Sequence, residues 1–250
     1  MSNLAVVSAD NGNLRMETET ISKNGASSKS HTSRRNFLRN TCIAFFAAGI
    51  ILSGCGKDKD APGQGESTTV FEGGTLTVTM EVDKYYEAVK SIKAYAIVYD
   101  NTVQGNVKQV EIASAPFSEG FTLNLPASPA DQFLWNIFSF YPQSDYTVEY
   151  EGATPRIAEV SQFMAFNSAG NHVFELAHGI FSENNVVNFW YVNKDVKITG
   201  SKDNTTCDVT LKQGWNRVYL KWEGTTATPI LKITSTIPSG VGWYFFEYVK

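Results

Sequence analysis

Apolar and polar residues alternate with a period of two in one segment after another. Leu76, Val78, Met80 and Val82 are interleaved with Thr75, Thr77, Thr79 and Glu81. Phe121, Leu123 and Leu125 alternate with Thr122 and Asn124 before a stop at Pro126. Cys207, Val209 and Leu211 alternate with Asp208 and Thr210, and Val218, Leu220 and Trp222 with Arg217, Tyr219 and Lys221. Successive strand side chains point to opposite faces, so this pattern sets one face on a core and the other in water, as antiparallel sheets do. Residues 92–99, 133–141, 186–192 and 243–249 are apolar on both faces and predict central strands. Shorter strands are predicted at 107–113, 146–150, 173–176, 196–199 and 230–235. Turn-forming residues separate them, among them Glu72-Gly73-Gly74, Asn167-Ser168-Ala169-Gly170 and Lys202-Asp203-Asn204. Only residues 83–90 and 156–165 carry a helical or mixed period.

About a dozen strands with almost no helix predict an all-β fold, an antiparallel β-sandwich of immunoglobulin-like or jelly-roll-like form, with a barrel as the alternative. There is no succession of alternating strands and helices, which excludes a doubly wound fold. Residues 68–250 suffice for one large sandwich domain, with a subdivision near residues 150–154 as the alternative.

The pattern changes before residue 68. Residues 1–32 are rich in Ser, Asn, Thr and Lys, lack an apolar period and read as disordered. The basic segment Ser33-Arg34-Arg35-Asn36-Phe37-Leu38-Arg39 follows, then an apolar run over 42–52 that ends in Ser53-Gly54 before Cys55. This is the order of regions in a secretory signal. The run is shorter than the ~20 residues a permanent membrane span needs.

Leu52-Ser53-Gly54-Cys55 resembles the lipobox of bacterial lipoproteins. The resemblance implies a leader and signal peptide over residues 1–54, a lipidated Cys55 at the mature N-terminus and a flexible tether over 55–67. Each buried acyl methylene contributes about 0.8 kcal/mol, so several chains on Cys55 hold a domain on a membrane almost permanently. Ser33-Arg34-Arg35-Asn36-Phe37-Leu38 resembles the twin-arginine export motif, with Arg39 where Lys is usual; an ordinary export signal is the alternative. Cys55-Gly56-Lys57-Asp58-Lys59-Asp60 resembles the surface-export signal of Bacteroidota lipoproteins, with Lys59 interrupting the acidic run; a plain solvated tether is the alternative. The expected location is the outer membrane or cell surface. Thr199-Gly200-Ser201 and the stretch around Leu211-Lys212-Gln213-Gly214-Trp215-Asn216-Arg217-Val218-Tyr219 resemble a segment of β-sandwich lipoproteins common in gut Bacteroidota, as does Gly120-Phe121-Thr122-Leu123-Asn124-Leu125-Pro126. That resemblance implies fold and location and no activity.

Charge and chemistry narrow the function. Residues 1–54 hold six of the 21 Lys/Arg and three of the 25 Asp/Glu, so the remainder carries 15 basic and 22 acidic side chains, a net of −7. That excludes a nucleic-acid footprint. Three Cys do not make a disulfide scaffold. His172, Glu175 and His178 fall on a predicted strand, with the two His on one face and Glu175 on the other. At ~3.3 Å per residue the His lie about 20 Å apart, too far for one zinc ion. Cys207 reads as a small core residue. No Gly-x-Ser-x-Gly elbow, phosphate loop or calcium loop occurs. No catalytic residue, metal or cofactor is therefore expected.

The aromatic residues stand out. Gly214 suits a tight turn at positive φ, after which Trp215 caps one end of a sheet. Trp215 and Tyr219 share a face opposite Val218, Leu220 and Trp222, while Tyr244, Phe246 and Tyr248 lie opposite Trp243, Phe245 and Val249. Trp215, Tyr219, Tyr244 and Tyr248 are the candidate ligand-stacking residues if either face is open; burial between sheets is the other reading. The expectation is a non-catalytic, lipid-anchored binding or assembly module for a glycan or protein partner. A structural subunit of a surface fibre is one alternative. A glycan-processing accessory enzyme is another, and it requires carboxylates converging in a cleft.

Overall fold

The computed structural model describes residues 6–10, 13–17, 67–80, 86–99, 107–183, 185–225 and 228–247. Residues 1–38 and 39–250 form two separate units. In the first, β1 (Val6–Asp10) and β2 (Asn13–Glu17) make an antiparallel hairpin with Asp10 opposite Asn13. The sequence reading expects no ordered element here. The intervening Asn11-Gly12 is the residue pair that two-residue hairpin turns favour, a local signal that composition hides. The lipobox with Cys55, and the tether up to Glu66, lie outside the described residues.

The second unit is all-β. Its strands are β3 (Ser67–Glu72), β4 (Thr75–Met80), β5 (Ser91–Tyr99), β6 (Val107–Pro116), β7 (Gly120–Asn124), β8 (Trp135–Asn136), β9 (Tyr146–Glu149), β10 (Arg156–Glu159) and β11 (Gln162–Phe166). They continue as β12 (His172–Ile180), β13 (Asn185–Val192), β14 (Val196–Lys202), β15 (Thr205–Leu211), β16 (Gly214–Thr225), β17 (Thr228–Thr234) and β18 (Gly242–Glu247). A three-stranded sheet, β3-β4-β7, packs over a large sheet ordered β6-β5-β11-β12-β13-β16-β17-β15-β14-β9. Off that path, β18 pairs with β12, β10 with β13, and β8 with β10. Every pairing is antiparallel except β15 with β17. The sheets stay open, so the fold is a β-sandwich and not a barrel. Among the described residues there is no α-helix.

Two predicted segments behave differently. Residues 133–141, expected as a central strand, form two 3-10 turns, Asp131–Phe133 and Ile137–Ser139, around the two-residue β8. The Asn136 side chain accepts a bond from Phe138 N at 2.9 Å and draws the backbone into a turn. Residues 156–165, with their mixed period, are two strands, β10 and β11. The chain changes partners between them: Val160 N donates to Phe189 O and Ser161 N to Tyr95 O. A kink at that crossing resets the alternation, which is why the period looks helical. Of residues 83–90, only 86–90 are described; Tyr86 begins a short turn there.

Two cores result. The first lies between the three-stranded sheet and β5, β11, β12 and β18. Leu76, Val78, Phe121 and Leu123 meet Ile92, Phe163, Leu176 and Phe245 there. Trp243 sits at its centre, fully buried. Phe121 and Phe163 approach it edge-on at 5.4 and 5.2 Å, and the His178 ring stacks on it at 4.7 Å and 3°. Its Nε1–H donates to Thr69 Oγ1 at 3.0 Å and its backbone N–H to Ser67 Oγ at 2.9 Å, which ties the last strand to the first strand of the domain. The second core holds Ile157, Val192, Ile198, Cys207, Val209 and Leu220 among others. Both cores draw on residues from either side of Tyr150, so they interleave along the chain instead of succeeding one another.

Strand β13 belongs to both. Val186, Trp190 and Val192 point into the second core while Phe189, on the opposite face, points into the first. It joins β12 through only two residue pairs, Gly179 with Val186 and Ile180 with Asn185, after which the strands diverge. Gly179 also pairs with Gly242 of β18, so three backbones meet there. A Cβ on Gly179 would lie 2.0 Å from Asn185 O.

Trp243→Ala is expected to lower unfolding stability by about 3–5 kcal/mol, the range for truncating a buried aromatic, measured by chemical denaturation; an effect near zero would displace Trp243 from the centre of the core. Gly179→Ala is expected to lower the melting temperature clearly because the clash is with backbone, whereas Gly170→Ala, whose Cβ meets nothing within 4 Å but whose φ is +77°, carries only the milder cost of backbone strain.

Candidate functional site

Where β12 and β13 diverge, the outer face of the β11-β12-β18 layer runs into the inner face of the second core. A partly open cavity of about 130 Å³ forms at this junction. Its walls come from β10, β11, β12, β13, β18 and the segment between Phe133 and Tyr141, with Ile97 of β5 and Leu220 of β16. Trp135, Phe140, Trp190 and Phe246 supply aromatic surface, and Glu159, Gln162, Glu175 and Asn188 supply polar groups. No Lys or Arg is among the lining residues.

The wall between 131 and 141 is held by Arg156 of β10. Its guanidinium donates to Asp131 Oδ1 at 2.8 Å and to the carbonyls of Asp131 and Leu134 at 3.0 and 2.9 Å. Asp131 is 88% exposed, so the ion pair itself adds little; the two carbonyl bonds are what fix the turn that presents Trp135. Ile137, fully buried, anchors the other end of the segment in the second core.

Glu159 and Trp190 are cross-strand partners on β10 and β13, so their side chains share the face that looks into the second core and the cavity. Burial pushes the Glu159 carboxyl up from 4.5 to about 7, and the indole N–H of Trp190 acts in the opposite sense. Trp190 Nε1 is itself closed to solvent, with the Glu159 carboxyl as its neighbour. Glu175 stands on β12 between Met164 and Phe246. Burial raises its carboxyl as well, and the Gln162 amide lowers it. Gln162 is in turn held by Gln109, whose Nε2 donates to Gln162 Oε1 at 2.8 Å.

His178 also touches the cavity wall but faces the first core between Trp243 and Phe189. Burial, aided by the positive charge of Arg217, lowers it from 6.5 to about 3, so the ring is neutral near pH 7. His172 and Glu175 have the strand placement the sequence predicts. Among the described residues no three His, Cys, Asp or Glu side chains group as a metal site. Cys207 is buried in the second core beside Tyr141, and burial pushes its thiol up to about 12. Such a thiol holds almost no thiolate at neutral pH.

The sequence-predicted stacking residues lie elsewhere. Gly214 takes φ +103°, and Trp215 then packs between the first core and a small cluster of Ala96, Phe133, Ala158 and Tyr191. Its ring meets Tyr191 at 5.6 Å and its Nε1–H donates to Pro126 O at 2.8 Å. Tyr219 and Tyr244 are each 5% exposed, so their rings offer no open stacking face. Tyr248 lies outside the described residues. The Tyr244 face does reach the cavity, but through Phe246. The sequence reading misses Glu159, Trp135 and Trp190, and weighs Glu175 only as a zinc ligand. The signal for the two acids is a carboxylate inside an apolar strand, Ile157-Ala158-Glu159-Val160 and Phe174-Glu175-Leu176, since Glu is rarely placed there without a reason.

Because the folded state keeps a proton on Glu159 that the unfolded chain gives up, this residue's contribution is present below about pH 4.5 and is lost as the pH rises through about 7. At 1.36 kcal/mol per pH unit the loss reaches up to about 3 kcal/mol. His178 works oppositely, adding stability as the pH rises from about 3 to 6.5. Comparing Glu159→Gln with the parent isolates the carboxyl: the variant is expected to gain relative stability steadily between pH 4.5 and 8 in denaturant titrations. Parallel pH profiles would show that Glu159 is not buried as described.

No protein-family model, curated protein or solved structure matches the chain.

Proposed function

We propose that this protein is a lipid-anchored, surface-displayed binding module that takes one sugar residue of a glycan in the cavity beside β13, without catalysis. The observation that carries the reading is the mixed lining. Flat rings at Trp135, Phe140, Trp190 and Phe246 stand beside hydrogen-bonding groups at Gln162, Asn188, Glu159 and Glu175. A sugar ring has apolar faces and hydroxyl edges, and this combination suits both. Size sets the limit: an apolar cavity of about 150 Å³ holds one benzene ring, so about 130 Å³ takes part of one sugar ring, the rest of it lying in the open mouth.

The anchor rests on Leu52-Ser53-Gly54-Cys55 and the tether behind it. A flexible polar linker of about 12 residues spans roughly 20 Å on average. The cavity-bearing body would thus stay close to the membrane while remaining free to turn. The net charge of −7 beyond residue 54 supports solvation there and disfavours phosphate-rich partners.

The paired carboxyls favour a second reading, a glycan-processing enzyme. Glu159 near 7 would serve as a general acid at neutral pH, with Glu175 as the second carboxylate.

In native membranes, intact mass is expected to show a chain beginning at Cys55 with acyl chains attached, and Cys55→Ser to leave the membrane fraction. On a glycan array, Trp135→Ala is expected to weaken binding at least tenfold. A soluble, unacylated chain removes the anchor, and full binding by Trp135→Ala removes the cavity as the site. Release of reducing sugar by the parent, lost in Glu159→Gln, would replace the binding reading with the enzymatic one.

A further inference from the structure

We propose that β3 is a joining edge for two copies of this chain, paired antiparallel about a two-fold axis at Val70. The inference goes beyond the cavity reading and does not depend on it.

The three-stranded sheet is closed on one side and open on the other. On β4 and β7 the inward side chains Leu76, Val78, Phe121 and Leu123 are buried. On β3 the inward Ser67, Thr69 and Phe71 are only half-buried, and the outward Thr68, Val70 and Glu72 are exposed. Among the described residues β3 pairs with β4 alone, so the first core ends there without a covering strand. Val70, at 62%, is the most exposed large apolar side chain among the described residues.

Free strand edges are ordinarily blunted by Lys, Pro, bulges or short length. The edge strand β6 carries Lys108 and Pro116 and has a register shift against β5, and the edge strand β9 is four residues long. β3 is six residues, Ser-Thr-Thr-Val-Phe-Glu, without Lys, Arg or Pro and without a register shift against β4. An edge left in this state is a template for strand addition.

The side chains of β3 complement a second β3. Directly opposed residues of an antiparallel pair share a face. With Val70 opposite Val70 of the second copy, Thr68 stands opposite Glu72 and Thr69 opposite Phe71. The two exposed valines then cover each other, and Thr69 of the second copy extends the wall beside the half-buried Phe71. Glu72 is the one charged residue on the outward face of this sheet, and this register sets it against a neutral threonine. A register with Glu72 opposite its own copy would oppose like charges and leave both valines unpaired. The residues that lead into β3, Ala61-Pro62-Gly63-Gln64-Gly65, are poor strand formers and do not supply the missing strand. A contact between two strands of this length falls short of the ~1,200 Å² at which stable interfaces begin, so the dimer is weak and reversible.

The test is oxidative cross-linking of the full-length protein with single added cysteines, the parent serving as control for the native Cys42, Cys55 and Cys207. Opposed strand residues have Cβ atoms about 5 Å apart, close to disulfide reach, whereas Thr68 would stand about 13 Å from its own copy. Val70→Cys is expected to give a linked dimer at least ten times faster than Thr68→Cys or Glu72→Cys alone. Mixing those two variants is expected to restore rapid linkage between them. All three positions are exposed, so random collision would treat them alike. In sedimentation velocity the parent is expected to shift from monomer toward dimer as its concentration rises. Val70→Lys is expected to stay monomeric with an unchanged melting temperature, because the side chain lies outside the core. Equal linkage at all three positions, or a dimer that survives Val70→Lys, overturns the proposal. A parent that stays monomeric throughout also overturns it and leaves the edge to a strand of another protein. Oligomers that grow beyond the dimer overturn it in favour of head-to-tail addition.

Discussion

The fold depends on one strand being buried on both sides. β13 gives Phe189 to one core and Val186, Trp190 and Val192 to the other. A strand of this kind has no solvent face, so its sequence reads as a nearly continuous apolar run. It also couples the two cores: neither layer can slide without moving the strand they share. Asn185, at its start and 1% exposed, shows how the remaining polar group is accommodated. Its Nδ2 donates to Glu183 Oε2 at 2.7 Å and its Oδ1 accepts from Trp222 N at 2.8 Å, so the amide is satisfied on both sides.

The cavity follows from the same geometry. Two sheets that share a strand must diverge beside it, and the hairpin of β12 and β13 stays paired over only two residue pairs before opening. Backbone crowding at Gly179 makes the hinge of that opening, because no side chain fits against Asn185 O. The wedge is then filled incompletely by β10, β18 and the 131–141 segment. Protein interiors are ordinarily packed without such gaps, and a gap lined by carboxyls is less common still. Structural packing explains Trp243, Trp215 and Tyr219. It does not explain two acids at one opening.

The electrostatics of the two cores contrast. In the first, His178 is buried against Trp243 and is kept neutral, so it behaves as an aromatic plate. At the edge of the second, Glu159 is raised toward neutrality and its charge depends on what lies beside it. The first arrangement contributes to packing over the whole physiological range. The second is costly to the fold whenever the carboxyl is ionised.

Period-two alternation in 75–80, 121–125, 207–211 and 217–222 determined the strands, their inward faces and the sandwich class, because one side chain in two must leave water in any half-buried strand. The doubly apolar 186–192 likewise identified the central strand. Alternation failed at 156–165, where a change of partner strand reset the period, and at 133–141, where the Asn136 side chain competed for the backbone. The candidate site was the least legible part. Trp215 and Tyr219 were visible as an aromatic face, but whether that face is open depends on which strand covers it, and such pairings join residues far apart in sequence. Glu159, Glu175 and Trp190 became neighbours of one cavity only through the divergence of β12 from β13. Local pattern records which side of a strand each residue occupies; only the tertiary structure decides where two sheets part and leave room for a ligand.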